Sequence, residues 1–320
     1  MKLKGKLIMS AAALAACAAT LTSTTYAWYT TNTEVSASGL QAGSANSGDS
    51  SILISKTGES GTWLQDITDL AATGNPTLKP LMLNTEDGKF YTVASSVGTD
   101  GEIGLSTTPE NGTSSFVEFS LFFKTSATDE NVPIYLKSMS ISNADTALDS
   151  WENLNNGKEG DIGINNDAQT YQKDIVDALA FTITTVDSET TYKTGSGDSK
   201  TDQTFTKLDG KTAYKPISSW VSSLGTTGGA DDAHKYFNAL DKTGTKKLSE
   251  AVTTDNSKEI DPNKMICVLN ANGTTAAKVT FRFYLNGSDV DCFDACKGQK
   301  FKLTLSFTST TPTTVNTGNN

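Results

Sequence analysis

Few side chains in this sequence are of the types that do chemistry. The chain has a single histidine, His234, in the run DDAHK. One histidine cannot supply a zinc site with two histidine ligands, and neither an HExxH helix nor a GxSxG elbow is present. We therefore predict no catalytic residue, no cofactor and no enzymatic activity.

The cysteines are the next candidates, and three of them lie in the last sixth of the chain: Cys267, Cys292 and Cys296. An odd number leaves one thiol over or pairs it between chains. A bridge from Cys267 to either of the others would fasten one strand to the last long loop. A lone CxxxC is a weak zinc signal. The sequence predicts structural thiols or one disulfide.

Three acids crowd the same loop, at Asp289, Asp291 and Asp294. Carboxylate oxygens are the ligands that Ca²⁺ prefers, so the loop is a weak calcium candidate. The glycine and the distal glutamate of an EF-hand loop are missing. A solvated loop without metal is the favoured interpretation.

The N-terminus has the layout of an export signal. Lys2, Lys4 and Lys6 precede an Ala/Leu-rich run, which is too short and too weakly apolar for a permanent membrane helix. The small residue Ala27 lies directly before Trp28, which predicts cleavage between these two residues. Residues 1–27 would then be a signal peptide, and the mature protein would be secreted, to the cell surface or the extracellular matrix.

A second cut is compatible with the same segment. Residues 14–17 read LAAC, the pattern at which a lipoprotein cysteine, here Cys17, is acylated. Cleavage there would give a lipid-anchored surface protein. The continued apolar run after Cys17 favours the cut at Ala27.

Charge excludes one class of partner. The chain has 36 acidic and 26 basic residues, for a net charge of −10. The only charged residues that would be lost with the signal peptide are lysines, so the mature chain would be more acidic still. An acidic protein is repelled by phosphate backbones and by anionic lipid. We predict no nucleic-acid partner, and membrane contact only through the signal peptide or a lipid anchor.

The elements that would position these groups are strands. Apolar and polar residues alternate at period two in several segments, which predicts strands with one buried and one solvated face. The clearest are 116–124, 279–285 and 300–308, and shorter ones cover 51–55, 78–83, 134–142 and 180–186. We expect 279–285 and 300–308 to be antiparallel neighbours. Without βαβ alternation, the pattern predicts an all-β protein, an antiparallel jelly-roll β-sandwich.

Residues 187–262 interrupt this pattern. They are polar, with apolar residues at helical spacing only over Ile217–Leu224 and Ala233–Leu240, and a further short helix is expected around Asp174–Leu179. We predict one domain over 41–308 with a long polar, partly helical insertion at about 187–262. The Ser/Thr/Asn-rich tail 309–320 is predicted to be disordered.

Two segments resemble a known family. Residues 24–32 read TTYAWYTTN and 35–40 read VSASGL, which is similar to the export region of Gram-positive proteins processed by a SipW-type signal peptidase. Residues 279–292 and 301–307, VTFRFYLNGSDVDC and FKLTLSF, resemble the closing strands of such proteins. The family is that of TasA and camelysin. The resemblance covers about 40 residues at each end, and the cysteine pair and the long insertion depart from it.

The resemblance implies a subunit that polymerises into fibres of the biofilm matrix. Its partner would be itself, as a homopolymer, with a fibre adaptor or anchor protein as a further partner. The segment after the signal peptide would add as a strand to the next subunit. Carried onto this chain, the donor would span 28–40, with these assembly residues: Trp28, Tyr29, Thr33, Val35, Ala37 and Leu40.

Two other functions compete with this prediction. A lipid-anchored or monomeric surface adhesin would follow from acylation of Cys17. A metalloprotease, as described for the camelysin branch, ranks lower because this chain has one histidine and no zinc motif.

Overall fold

The computed structural model describes a β protein. The described residues are 36–44, 52–67, 78–97, 102–105, 108–110, 115–127, 130–145, 147–148, 151–152, 170–171, 174–194, 197–224, 246–247, 257–287, 289, 292, 296 and 299–310. The strands are β1 Ser36–Ser44, β2 Ile52–Ser55, β3 Asp66–Ile67, β4 Pro80–Asn84, β5 Lys89–Val97, β6 Glu102–Leu105, β7 Val117–Thr125, β8 Val132–Asn143, β9 Trp151–Glu152, β10 Thr170–Tyr171, β11 Leu179–Val186, β12 Thr191–Thr194, β13 Thr201–Thr204, β14 Tyr214–Lys215, β15 Val221–Ser222, β16 Lys246–Lys247, β17 Lys258–Glu259, β18 Met265–Leu269, β19 Ala277–Asn286 and β20 Lys300–Thr308. The all-β class predicted from the sequence is confirmed.

Two large sheets contain most of these strands. Sheet one has the order β15-β8-β20-β1-β3, and β18 pairs with the same edge of β8 as β15 does. Sheet two has the order β16-β6-β5-β4-β19-β11-β14-β17, with β7 also on β19 and β2 on β7. The pairs β9–β10 and β12–β13 form separate two-stranded ribbons. Each large sheet thus contains strands that precede and strands that follow the polar segment at 187–262.

The sheets are joined by aromatic side chains. Alternation in β7, β19 and β20 turns every second residue inward, as their burial shows. Phe283 of β19 lies 6.2 Å from Phe301 of β20 between ring centroids, and Phe123 of β7 lies 4.9 Å from Phe307. The predicted apolar faces of these three strands therefore meet in one core.

The expected antiparallel pairing of 279–285 with 300–308 is wrong. β19 and β20 lie in different sheets and meet through their side chains, as the contact between Phe283 and Phe301 shows. Alternation predicts which face of a strand is buried but not which strand is its neighbour. The 13 residues between the two strands give the chain enough length to cross from one sheet to the other.

The sheets are also not purely antiparallel. The longest neighbours pair antiparallel, as β8–β20, β7–β19 and β11–β19 do. Four pairs are parallel, β1–β20, β4–β19, β14–β17 and β8–β15. Each parallel pair joins segments far apart in sequence, as parallel pairing requires.

Helical structure in the described part is limited to 3-10 turns of three or four residues, at Ile175–Ala178, Gly197–Ser199, Ser218–Trp220 and Ala271–Gly273. The first matches the short helix expected at 174–179. The helix expected over 217–224 is instead one turn followed by β15. Its four serines and its valine favour helix weakly, so packing of Ile217 and Trp220 on the core decides the local structure. The helix expected at 233–240 lies outside the described residues.

Candidate functional site

The first described strand, which follows the predicted export segment in sequence, pairs with the last described strand. β1 runs parallel to β20, with Ser36 opposite Lys300 and Ser44 opposite Phe307. The register shifts once, between Ser38 and Gln41, where β1 has one more residue than β20, which is a β-bulge. A bulge fixes the register, because sliding the strand would move the extra residue away from its place.

β20 is built as an interior strand of sheet one. Its inward residues Phe301, Leu303, Leu305 and Phe307 are all 0–1% exposed, and its other edge pairs with β8 along eight residues. The β1 edge of β20 would present a row of unpaired N–H and C=O groups if β1 left. Such a long unpaired edge favours addition of another strand.

β1 itself is suited to exchange. Its sequence SASGLQAGS contains no charged residue and one large apolar residue, Leu40. Glycine, serine and alanine have weak strand propensity. β1 pairs with β20 at seven register positions. On the far side, β3 pairs only with Ala42 and Gly43, and no other described strand pairs with that edge of β1.

The predicted donor residues fall on both sides of the described boundary. Ala37 and Leu40 lie in β1, which continues four residues beyond the predicted end of the donor at residue 40. The others lie outside the described residues, as do the cleavage pair and the lipidation candidate: Trp28, Tyr29, Thr33, Val35, Ala27 and Cys17. The parallel direction and the partner strand were not foreseen from the sequence.

The three cysteines in the described part of the chain are buried, and no disulfide joins them to one another. Cys267 lies in β18, and Cys292 and Cys296 lie between β19 and β20, each fully buried. Burial raises the pKa of the Cys267 thiol far above its ordinary value, because an apolar surrounding disfavours the thiolate. Cys267 is therefore a poor nucleophile and a poor metal ligand in the folded protein.

Of the three acids in the loop that was a weak calcium candidate, only Asp289 lies within the described residues. Asp289 is 1% exposed, and its carboxylate makes an ion pair with Lys215 of β14. A lysine ammonium thus lies against the carboxylate at the place where a calcium ion would bind. Asp291 and Asp294 lie outside the described residues, and within the described ranges no three Cys, His, Asp or Glu side chains are grouped for a metal.

A cleft opens beside this ion pair. Its volume is about 340 Å³, and the polar part of its lining comprises Asp177, Lys215, Ser218, Ser223 and Glu259. Lys215 and Glu259 are opposite each other in the β14–β17 pair, so their side chains leave the same face of the sheet. The backbone N–H of Ser218 donates to Glu259 Oε1 at 3.3 Å. The cleft therefore brings the amine of Lys215 together with the carboxylates of Asp177 and Glu259.

A buried polar network joins the ends of three strands. Asp174 is fully buried, and its carboxylate accepts from Asn143 Nδ2 at 2.9 Å, Val176 N at 3.1 Å and Leu224 N at 2.7 Å. The amide of Asn143 also donates to Gln299 Oε1 at 2.9 Å. This network positions the first residues of β20 against the last residues of β8.

Sequence reasoning did not select this network or Lys215. Asp174 directly precedes a short helical segment, and an acid there is a usual N-cap, so a local signal existed. Asn143 and Gln299 are 156 residues apart and carry no such signal. The pairing of Lys215 with Asp289 likewise depends on strand order.

No helix in the described part of the chain is long and apolar enough to cross a membrane. Comparisons with protein-family models, with curated proteins and with solved structures found no match.

Proposed function

We propose that this protein is a secreted structural subunit, a jelly-roll type β-sandwich that polymerises into surface or biofilm-matrix fibres by donating β1 to a neighbouring subunit. The observation that carries the proposal is the parallel pairing of the first described strand with β20. The same register can be formed with the β20 of another copy, since it needs only the edge of that strand.

Exchange of a strand between copies conserves its contacts. In a closed monomer β1 fills the β20 edge of its own subunit, and in a fibre it fills the same edge of the next one. Because each subunit then gives one strand and receives one strand, the contact is head-to-tail and propagates into a filament. The acidic composition keeps subunits soluble before assembly.

The proposal is tested by deleting residues 28–44, which removes β1 with the segment before it, from the secreted protein. The remaining chain should fold, because the core strands β7, β8, β11, β19 and β20 are retained. It should elongate at less than about a tenth of the wild-type extent, as each donated strand supplies most of a contact. Electron microscopy and sedimentation measure filament length and mass.

The matched control removes residues 311–320, which follow β20 at the other end of the chain, and should still polymerise. Normal filaments from the 28–44 deletion would refute strand donation. N-terminal sequencing of surface-released protein separates the alternative function, because an acylated Cys17 on a monomer would indicate a lipid-anchored adhesin.

A further inference from the structure

Lys215 and Asp289 form an unusual pair, because a charged contact is held at the edge of the core. The Asp289 side chain is 2% exposed and that of Lys215 is 29% exposed, and Lys215 Nζ contacts Asp289 Oδ2 directly. Burial of an ion pair has a desolvation cost that can exceed the attraction between the charges, so such a pair is weak support for stability alone.

The backbone fixes both partners. Asp289 follows β19 in a turn in which its N–H donates to Asn286 O at 2.9 Å and Cys292 N donates to Asp289 O at 3.0 Å. The turn is held to β4 because Gly287 N donates to Leu81 O at 2.9 Å. Lys215 is placed by β14, between β11 and β17. The amine and the carboxyl are therefore held together without the entropy loss of an encounter.

We propose that Lys215 and Asp289 condense into an intramolecular isopeptide bond. Transfer of one proton from the Lys215 ammonium to the Asp289 carboxylate within the ion pair gives the amine and the carboxylic acid, and these are the forms that react. Burial of the Asp289 side chain lowers the cost of this transfer, because an apolar surrounding disfavours ions. Contact at fixed geometry replaces a bimolecular collision and gives a high effective concentration of each group.

The reaction balances without a cofactor. Lys215 Nζ attacks Asp289 Cγ, and a C–N bond forms. The nitrogen loses its proton, the C–O bond to one Oδ breaks, and that oxygen leaves as water. No electrons are exchanged. Glu259, which is opposite Lys215 in the β14–β17 register and lines the same cleft, would take the proton from nitrogen and return it to the leaving oxygen.

The bond would strengthen a weakly attached part of the fold. β14 pairs with β11 at one register position, Phe181 with Tyr214. A covalent link from Lys215 to Asp289, just after β19, would close residues 215–289 into a loop. It would prevent β14, which lies in the polar segment at 187–262, from detaching. Closing a loop of this length removes entropy from the unfolded chain. The inference does not depend on polymerisation.

The test is mass spectrometry of the full-length secreted protein. We expect an intact mass lower by one water than the sequence of the mature chain, and a branched tryptic peptide that joins the segments of Lys215 and Asp289. Lys215→Arg should restore the full mass, and Glu259→Gln should slow formation of the bond.

The control is Lys200→Arg, which alters the exposed ion pair with Glu130 and should leave the water loss in place. Because the branched peptide is sought in the wild-type protein, the result does not depend on folding of a variant. Linear peptides containing unmodified Lys215 and unmodified Asp289 in the folded wild-type protein would overturn the proposal.

Discussion

At the residue scale, the buried polar side chains contribute more to holding the fold together than the chemically reactive side chains do. Asp174 accepts three hydrogen bonds where no water reaches, and Asn143 and Gln299 complete the network. These hydrogen bonds join distant parts of the chain, so loss of the Asp174 carboxylate would leave several donors without an acceptor. Unpaired buried polar groups cost far more than a hydrogen bond contributes.

We expect Asp174→Ala to lower the free energy of unfolding by about 3 kcal/mol, because it leaves the N–H groups of Val176 and Leu224 and the amide of Asn143 without their acceptor. Urea unfolding followed by circular dichroism measures the change. Asp198→Ala, at an exposed turn, is the control and should stay within about 0.5 kcal/mol. Equal effects of the two substitutions would contradict the role of the network.

Cys267 gives a prediction about pH. Its pKa is raised by burial above the ordinary 9.0, so above that pH the unfolded chain loses the thiol proton while the folded chain keeps it. The folded state is then favoured less as pH rises, by about 1.4 kcal/mol per pH unit for this group. The loss is absent below pH 9.

Unfolding free energies at several alkaline pH values measure this slope. Cys267→Ala should be less stable at neutral pH through lost packing but should decline less steeply above pH 9. Parallel curves for the wild-type protein and the variant would show that the thiol is not the cause.

At the element scale, alternation in the sequence predicted the inward faces of β7, β19 and β20, because a period of two is a local property. It did not predict that β19 and β20 lie in opposite sheets, nor that β1 pairs in parallel with β20. Which strands pair with each other depends on contacts between residues that can be hundreds of positions apart in sequence. For the proposed assembly site, the sequence predicted a donor segment but neither its partner strand nor its register.

The packing of the turn between β18 and β19 against the end of β7 can be tested by a substitution at Gly273. Gly273 has φ +56°, and a Cβ there would lie 2.3 Å from the backbone oxygen of Thr125 at the end of β7. Gly273→Ala should therefore cost about 3 kcal/mol or more, from left-handed strain and from displacement of backbone. Thermal and urea unfolding measure the loss.

Gly61 is the matched control, since it also has positive φ, +87°, but a Cβ there would meet nothing within 4 Å. Gly61→Ala should cost about 1–2 kcal/mol, from strain alone. If the two substitutions are equally tolerated, the turn does not pack against β7 as described.

At the scale of the whole molecule, the first and the last of the described strands are neighbours in sheet one. β20 is held by β8 on one edge and by β1 on the other. The β8 edge belongs to the body of the fold, while the β1 edge is filled by a short segment of small residues. The proposed fibre rests on this asymmetry: we propose that the β8 edge stays paired within the subunit and that the β1 edge is exchanged between subunits.

The most direct measurement asks whether β1 lies on its own subunit or on the next one. Ser38 and Lys302 are opposite each other in the β1–β20 register, and adjacent strands are about 4.8 Å apart, which suits a disulfide. Ser38→Cys and Lys302→Cys are made in separate chains, mixed, assembled and oxidised. Ser38→Cys mixed with Ser306→Cys, whose register partner is Gly43, is the mismatched control.

We predict reducible dimers in filaments from the Ser38→Cys and Lys302→Cys mixture and almost none in the mismatched control, because only strand exchange brings the first pair together. Filaments that form without a bridge between chains, while a single chain carrying both substitutions closes its own disulfide, would contradict strand donation.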